Sequence, residues 1–235
     1  MSDSVGRTQH NPPAPLRGTL EIASIFVLLP LGGILGGLTG FIPLSAIGAI
    51  VLPLLAATLF LRREGVLWRD LVFGRPLPPL QVLGFTGLAL ALVLFAVTAS
   101  NAVLRAMGFP PADVSVFTQL LEGDLVIYLW FLLPVSWGSA AIGEELLMRG
   151  YLLHRLEGLA GTAAAVVLQA LIFALAHFYQ GITGVVNIFV LALLFGLVYL
   201  RSGRNLLPLI LAHGLIDTFS MTALYLGRSE YLLGQ

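Results

Sequence analysis

The stretch Leu125–Leu147, LVIYLWFLLPVSWGSAAIGEELL, carries no formal charge as far as Gly143 and then presents two adjacent glutamates. A run of this kind matches the ~20 apolar residues an α-helix needs to cross the hydrocarbon core of a bilayer. Period-two alternation is absent, which disfavours a transmembrane barrel, so helices remain as the way to satisfy the backbone in lipid. The carboxylates at the end of the run are expensive at membrane depth and call for a specific role.

The same pattern repeats on both sides of this stretch. Apolar segments cover Leu20 to Leu38, Phe41 to Leu61, Leu80 to Leu104, Ala160 to about Phe178, Thr183 to Leu200 and Leu206 to Leu226. With Leu125 to about Leu147 they predict an all-α, polytopic transmembrane bundle of seven helices, or eight if one span is broken. Composition agrees: of 235 residues, 58% are hydrophobic and 10% charged, and the mean hydropathy is +0.96. Soluble domains lie well outside that range. The glycine-rich LGGILGGLTG of the first span predicts close helix packing.

Residues 1–19 are expected to form a polar, disordered tail that begins MSDSVGRTQHNPPAP and lacks the apolar core of a signal peptide. An integral membrane domain is expected over 20–227, with a motif-bearing core at about 125–226, followed by a short tail at 228–235. Cysteine is absent, which excludes disulfides, thiolate chemistry and Cys-ligated metal. A net charge of zero argues against nucleic-acid partners. All 12 basic residues are arginine, which together with abundant Ala, Gly and Leu suggests a GC-rich bacterial source.

Arginine placement sets the expected orientation. With the N-terminus cytoplasmic, Arg7, Arg17, Arg62, Arg63, Arg69, Arg75, Arg155, Arg201 and Arg204 share that side. Arg105 and Arg228 lie opposite, near Asp113, Glu122 and Asp124. The positive-inside rule then gives an inner-membrane protein with a cytoplasmic N-terminus. No internal repeat or inverted pair of broken helices points to a transporter.

Ionisable residues inside the apolar segments are expected to cluster late in the chain: Glu144, Glu145, His177, His213 and Asp217, with Arg149 beside them, and nothing comparable in the first three spans. Glu145 and Arg149 are four apart in the favoured order for a pair on one helical face. Glu144 points about 100° round the helix and is left free to aim elsewhere. His213 and Asp217 are also four apart, so the carboxylate can hold the imidazole. Phe173 lies one turn below His177. Glu144 and His177 flank a hairpin turn around Gly158 to Gly161, which brings them to one level if the helix bearing Glu144 runs on to about Arg155 and Tyr179-Gln180-Gly181 folds into the interior. Asn187 and Gln169 read as interhelical polar contacts, His154 and His10 as solvated, and the Trp and Tyr residues as interfacial or packing aromatics.

The segments EELLMR, FALAH and HGLID resemble, in order, the EExxxR, FxxxH and HxxxN motifs of the CPBP intramembrane proteases. These are the type II CAAX prenyl endopeptidases and their bacterial bacteriocin-processing and immunity relatives, and the resemblance covers roughly Leu125 to Leu226. Asp217 departs from the prenyl endopeptidases, which have Asn there. The resemblance implies an endopeptidase that hydrolyses peptide bonds of hydrophobic or membrane-anchored peptides in a water-filled pocket within the bilayer. It makes Glu144 the base that activates water, assisted by His177. Glu145 with Arg149 would fix the helix and the local field, and His213 with residue 217 would stabilise the oxyanion. Because Asp donates only when protonated, Asp217 is expected to orient His213, which then donates alone.

No cofactor is required by that reading. The alternative is zinc held by Glu144, His177 and His213. A second function class also stays open, a noncatalytic immunity or scaffold protein, or a transporter component, using the same polar cluster. An enzyme needs Glu144, His177 and His213 around one pocket open to water, whereas a structural cluster would be closed and fully paired.

Overall fold

The computed structural model describes residues 15–230, and among these every regular element is helical. Nine helices follow one another: α1 (Pro15–Gly37), α2 (Ile42–Arg63), α3 (Trp68–Val72), α4 (Pro79–Ala106), α5 (Ser115–Leu121), α6 (Leu125–Ala160), α7 (Thr162–Ala176), α8 (Gly181–Arg201) and α9 (Leu207–Tyr225). The chain is a helical membrane bundle. Among the described residues six helices are long and apolar enough to cross a bilayer: those over Leu16–Gly37, Ile42–Arg63, Pro79–Ala106, Leu125–Ala160, Phe178–Arg201 and Leu207–Tyr225.

The apolar segment from Ala160 to about Phe178, expected as a full span, is the 15-residue α7. At 1.5 Å per residue it is about 22 Å long, short of the ~30 Å hydrocarbon core. Its ends explain the shortness. Gly161, at φ +79°, makes the turn from α6, and at the other end the backbone leaves the helix at His177 into a tight 3₁₀ turn, Phe178–Gln180, closed by Gly181 at φ +73°. The 177–181 turn is not folded into the interior as the sequence suggested. Phe178 and Tyr179 are exposed, and the level of His177 is set by the brevity of α7.

Two other boundaries differ. Helix α1 begins at Pro15, inside the stretch assigned to the tail, because Arg17 pairs with Glu21 one turn on at 2.9 Å. Residues 1–14, with Arg7 and His10, and residues 231–235 lie outside the described residues. Helix α6 runs past Arg155 to Ala160, and over Phe131–Glu144 and Leu146–Leu152 it winds as a π-helix. Such wide turns are rare and concentrate at functional sites.

The expected close packing of the first glycine-rich span is present. A Cβ on Gly32 or Gly36 would stand 2.0 Å from the Gly48 or Leu44 carbonyl oxygen of α2, so only hydrogen fits. At the other end of the chain, Trp137 of α6 seats its ring where a Cβ on Gly214 would project, and its Nε1–H donates to Thr218 Oγ1 at 3.0 Å. That contact locks α9 against α6 next to His213. The α8–α9 turn is fastened as well: Asn205 donates to the carbonyls of Phe73 and Arg75 at 2.9 and 3.1 Å, and Arg204, at φ +64°, holds Glu157 through two 2.8 Å bonds.

Candidate active site

Four helices bring the polar residues of the last hundred positions together. Glu145 and Arg149 are wholly buried on α6 and joined at 3.0 Å, as their i,i+4 spacing predicted. Arg149 also donates to the Ala192 carbonyl of α8 at 3.2 Å, a carbonyl that Gln169 of α7 reaches at the same distance. Its guanidinium lies over the rings of Phe173 and Phe195, at 5.3 and 5.5 Å from their centroids. Desolvating this cation is expensive, and two aromatic faces, a carboxylate and a carbonyl offset the cost. Arg149 is the hub that fixes α6 to α7 and α8.

His213 of α9 extends the cluster. Its Nδ1 lies 3.0 Å from Glu145 Oε1. Glu145 therefore touches both Arg149 and His213 through one oxygen. The sequence reading gave Asp217 the task of holding this imidazole, but Asp217 Oδ2 stands 3.8 Å from the other nitrogen, Nε2, beyond hydrogen-bond range. One turn of α9 brings Asp217 alongside His213, while Glu145 approaches from a facing helix with better direction. Glu144 Oε2 stands 3.9 Å from the same Nε2. The free nitrogen of His213 thus faces two carboxylates, neither of them bonded to it.

His177 caps α7. Its Nδ1 bonds to the Phe173 carbonyl at 2.8 Å. A carbonyl oxygen only accepts, so Nδ1 carries the proton and neutral His177 offers Nε2 as an acceptor. Its ring packs 4.7 Å from that of Phe173, and it lies within electrostatic range of His213 and Asp217. Phe173, one turn below His177 as its spacing predicted, is the platform shared by Arg149 and His177.

Accessibility divides the cluster into two layers. The side chains of Glu145 and Arg149 are 0% exposed, His213 is 9%, Glu144 16% and Asp217 21% exposed. The inner layer is a sealed ion pair; the outer layer opens outward. Among the described residues no hydrogen bond reaches the Glu144 carboxylate. Formal charge is unbalanced too: Glu144, Glu145 and Asp217 face a single permanent cation, Arg149, so the cluster calls for protons held within it.

Among the described residues no three His, Cys, Asp or Glu side chains converge in a way that would hold a metal ion. Asn187 and Gln169 serve as the expected interhelical contacts, Asn187 donating to Asn101 of α4 at 2.6 Å.

Sequence reasoning missed a second polar cluster. Glu21 of α1 is buried and meets Arg155 of α6 at 3.1 Å, Arg17 at 2.9 Å and the Tyr151 hydroxyl at 2.9 Å. Glu64, just past α2, pairs with Arg155 at 2.9 Å and Arg17 at 3.2 Å. The available signal was a lone glutamate one residue inside the first apolar run. These pairs, with Arg204 on Glu157, gather Arg17, Arg155 and Arg204 at one end of the bundle, as the orientation reading grouped them.

Residues 126–219 match a family model described as type II CAAX prenyl endopeptidase Rce1-like. The match runs from the start of α6 past the middle of α9, takes in every residue of the candidate site, and bears out the CPBP-family resemblance of the three motifs. No curated protein and no solved structure matches the chain.

Proposed function

We propose that this membrane protein, whose α6–α9 core matches a protease family, is an intramembrane endopeptidase that cleaves hydrophobic or membrane-anchored polypeptides with water activated by Glu144. The observation that carries the reading is the two-layered cluster. An ion pair sealed from solvent, Glu145 with Arg149, sits beneath an unbonded, partly exposed Glu144 carboxylate that shares the space before His213 Nε2 with Asp217. A purely structural cluster would be closed and paired throughout.

In this mechanism Glu144 takes a proton from a water molecule as the water oxygen bonds to the scissile carbonyl carbon. Nε2 of His177, left free by the Nδ1 bond to Phe173, assists in orienting that water. Protonated His213, with Nδ1 held by Glu145, donates from Nε2 to the developing oxyanion, the charge whose stabilisation dominates acyl transfer. The proton on Glu144 then passes to the leaving amine as the C–N bond breaks. Asp217, beside Nε2 and without an amide to donate, favours the charged imidazole by its own negative charge. No serine or cysteine nucleophile is called for, and no step passes through a metal.

Natural substrates on this reading are hydrophobic peptides, leader peptides or membrane-anchored proteins of a bacterial inner membrane, with the arginine-rich end of the bundle in the cytoplasm. The test is cleavage of a hydrophobic peptide library by purified protein and by Glu144→Gln. Loss of cleavage in the variant is expected. Equal activity in both would overturn the assignment.

A further inference from the structure

At the end of the bundle away from the arginine cluster, a cavity of about 620 Å³ opens between the segment Pro110–Gln119 and the turn Gln180–Ile182, with Ser229 on its rim. Its size falls within the ~300–1,000 Å³ of ligand-binding clefts. The cavity is built into the fold. The Asp113 amide donates to the Gln180 carbonyl at 3.0 Å, and Thr183 Oγ1 donates to the Pro110 carbonyl at 2.6 Å, so the loop after α4 is pinned to the start of α8.

The same turn forms a wall of the cavity and an edge of the candidate active site. Gln180 lines the cavity, its amide N–H donates to the His177 carbonyl at 2.9 Å, and its side chain donates to the Tyr179 hydroxyl at 3.2 Å. Tyr179 packs 5.9 Å from the His177 ring and 6.1 Å from that of Phe117, and it lies within electrostatic range of Glu144 and Asp217. One residue therefore separates the cavity from the side chains assigned to hydrolysis. Its lining carries one formal charge, Asp113, among apolar and neutral polar groups. The Ser115 amide donates to the Asp113 carboxylate at 2.9 Å, and the Ser115 hydroxyl, together with that amide, holds the carboxyl below the usual range.

Resting on the endopeptidase reading, we infer that this cavity is a substrate subsite: it takes the polar segment of the polypeptide that emerges from the bilayer next to the scissile bond and prefers a basic residue there. A substrate whose apolar part reaches Glu144 through lipid must leave the membrane at one end. The Tyr179–Gln180 turn joins the cluster to a cleft at the end of the apolar spans, and the one charge among the described lining residues is negative.

The experiment is binding of labelled peptides to purified protein in nanodiscs, with cleavage followed in parallel. One peptide is the apolar segment alone; others add a flank with Lys or with Glu, at either end in separate peptides. The Lys flank is expected to tighten binding at least about fivefold in the unmodified protein. Gln119→Trp, which fills the cavity from the exposed side of α5, abolishes that gain while leaving the flankless peptide unaffected. Asp113→Asn, which keeps an acceptor for Ser115, reduces the Lys-over-Glu preference by roughly three- to fivefold. A flank that adds nothing, or a gain that survives both substitutions, overturns the subsite. Flank-dependent binding without cleavage of any peptide sinks the hydrolase reading and leaves the cavity as a peptide-binding site only.

Discussion

Helix α6 carries two buried charge clusters along its length, and they are built on opposite plans. Toward its C-terminal end, Arg155 and Tyr151 meet Glu21, Glu64 and Arg17, two cations against two carboxylates, with every carboxylate in an ion pair. Further up, Glu144, Glu145 and Asp217 face one arginine and two imidazoles, and the two outer carboxylates, Glu144 and Asp217, stand beyond hydrogen-bond range of His213 Nε2. The balanced cluster ties α1 and α2 to α6 and gains nothing by opening. The unbalanced one keeps its carboxylates in surplus over its one permanent cation. What separates the two clusters is therefore the balance of charge and the access of solvent to Glu144 and Asp217, and on the proposed function this difference marks the working site.

The strongest way to break this contrast is Glu144→Gln. Removing a general base is expected to cost about 10²- to 10⁴-fold in kcat, with the unfolding midpoint in detergent unchanged because no bond to that carboxylate is lost. A fall in thermal stability matching the loss of activity would put Glu144 in the structural class instead. Arg155→Met is the mirror experiment. Stranding Glu21 and Glu64 beside a single remaining cation is expected to destabilise the protein by about 3 kcal/mol, visible as a lower unfolding midpoint, while kcat per folded molecule stays near that of the parent. If kcat collapses without loss of stability, the balanced cluster is part of the chemistry.

Smaller effects sharpen the division within the site. Asp217→Asn restores the residue of the prenyl endopeptidases, and because Asp217 makes no hydrogen bond to His213, the change in kcat is expected to stay within about fivefold, the worth of one modest hydrogen bond. A drop of several hundredfold would show that the carboxylate itself is needed. The smallest expected effect is that of a chelator: peptide cleavage should be unaltered by it. Inhibition that added zinc reverses would return Glu144, His177 and His213 to the role of ligands.

Much of the architecture was legible because crossing lipid leaves little choice. An apolar stretch such as Phe41 to Leu61 satisfies its backbone there as a helix, so span positions follow from length and hydropathy. Pairs internal to one helix were equally legible, since Glu145 and Arg149 meet whatever surrounds them. Contacts between helices were not. Glu21 looked like the edge of a span until α6 brought Arg155 against it. His213 was assigned to Asp217, its neighbour one turn away, although Glu145 from another helix takes the nitrogen. The short α7 was drawn as a full span because composition does not reveal where a turn ends a helix.

From sequence came the helical bundle, the membrane, and the identity of the side chains too costly to leave in lipid without purpose; local periodicity and the energy of transfer from water fix these. Which carboxylate is sealed and which is left open emerged only from packing. It depends on Arg149 being shared by α6, α7 and α8, on Trp137 seating α9 against α6, and on distances between segments that no single helix specifies.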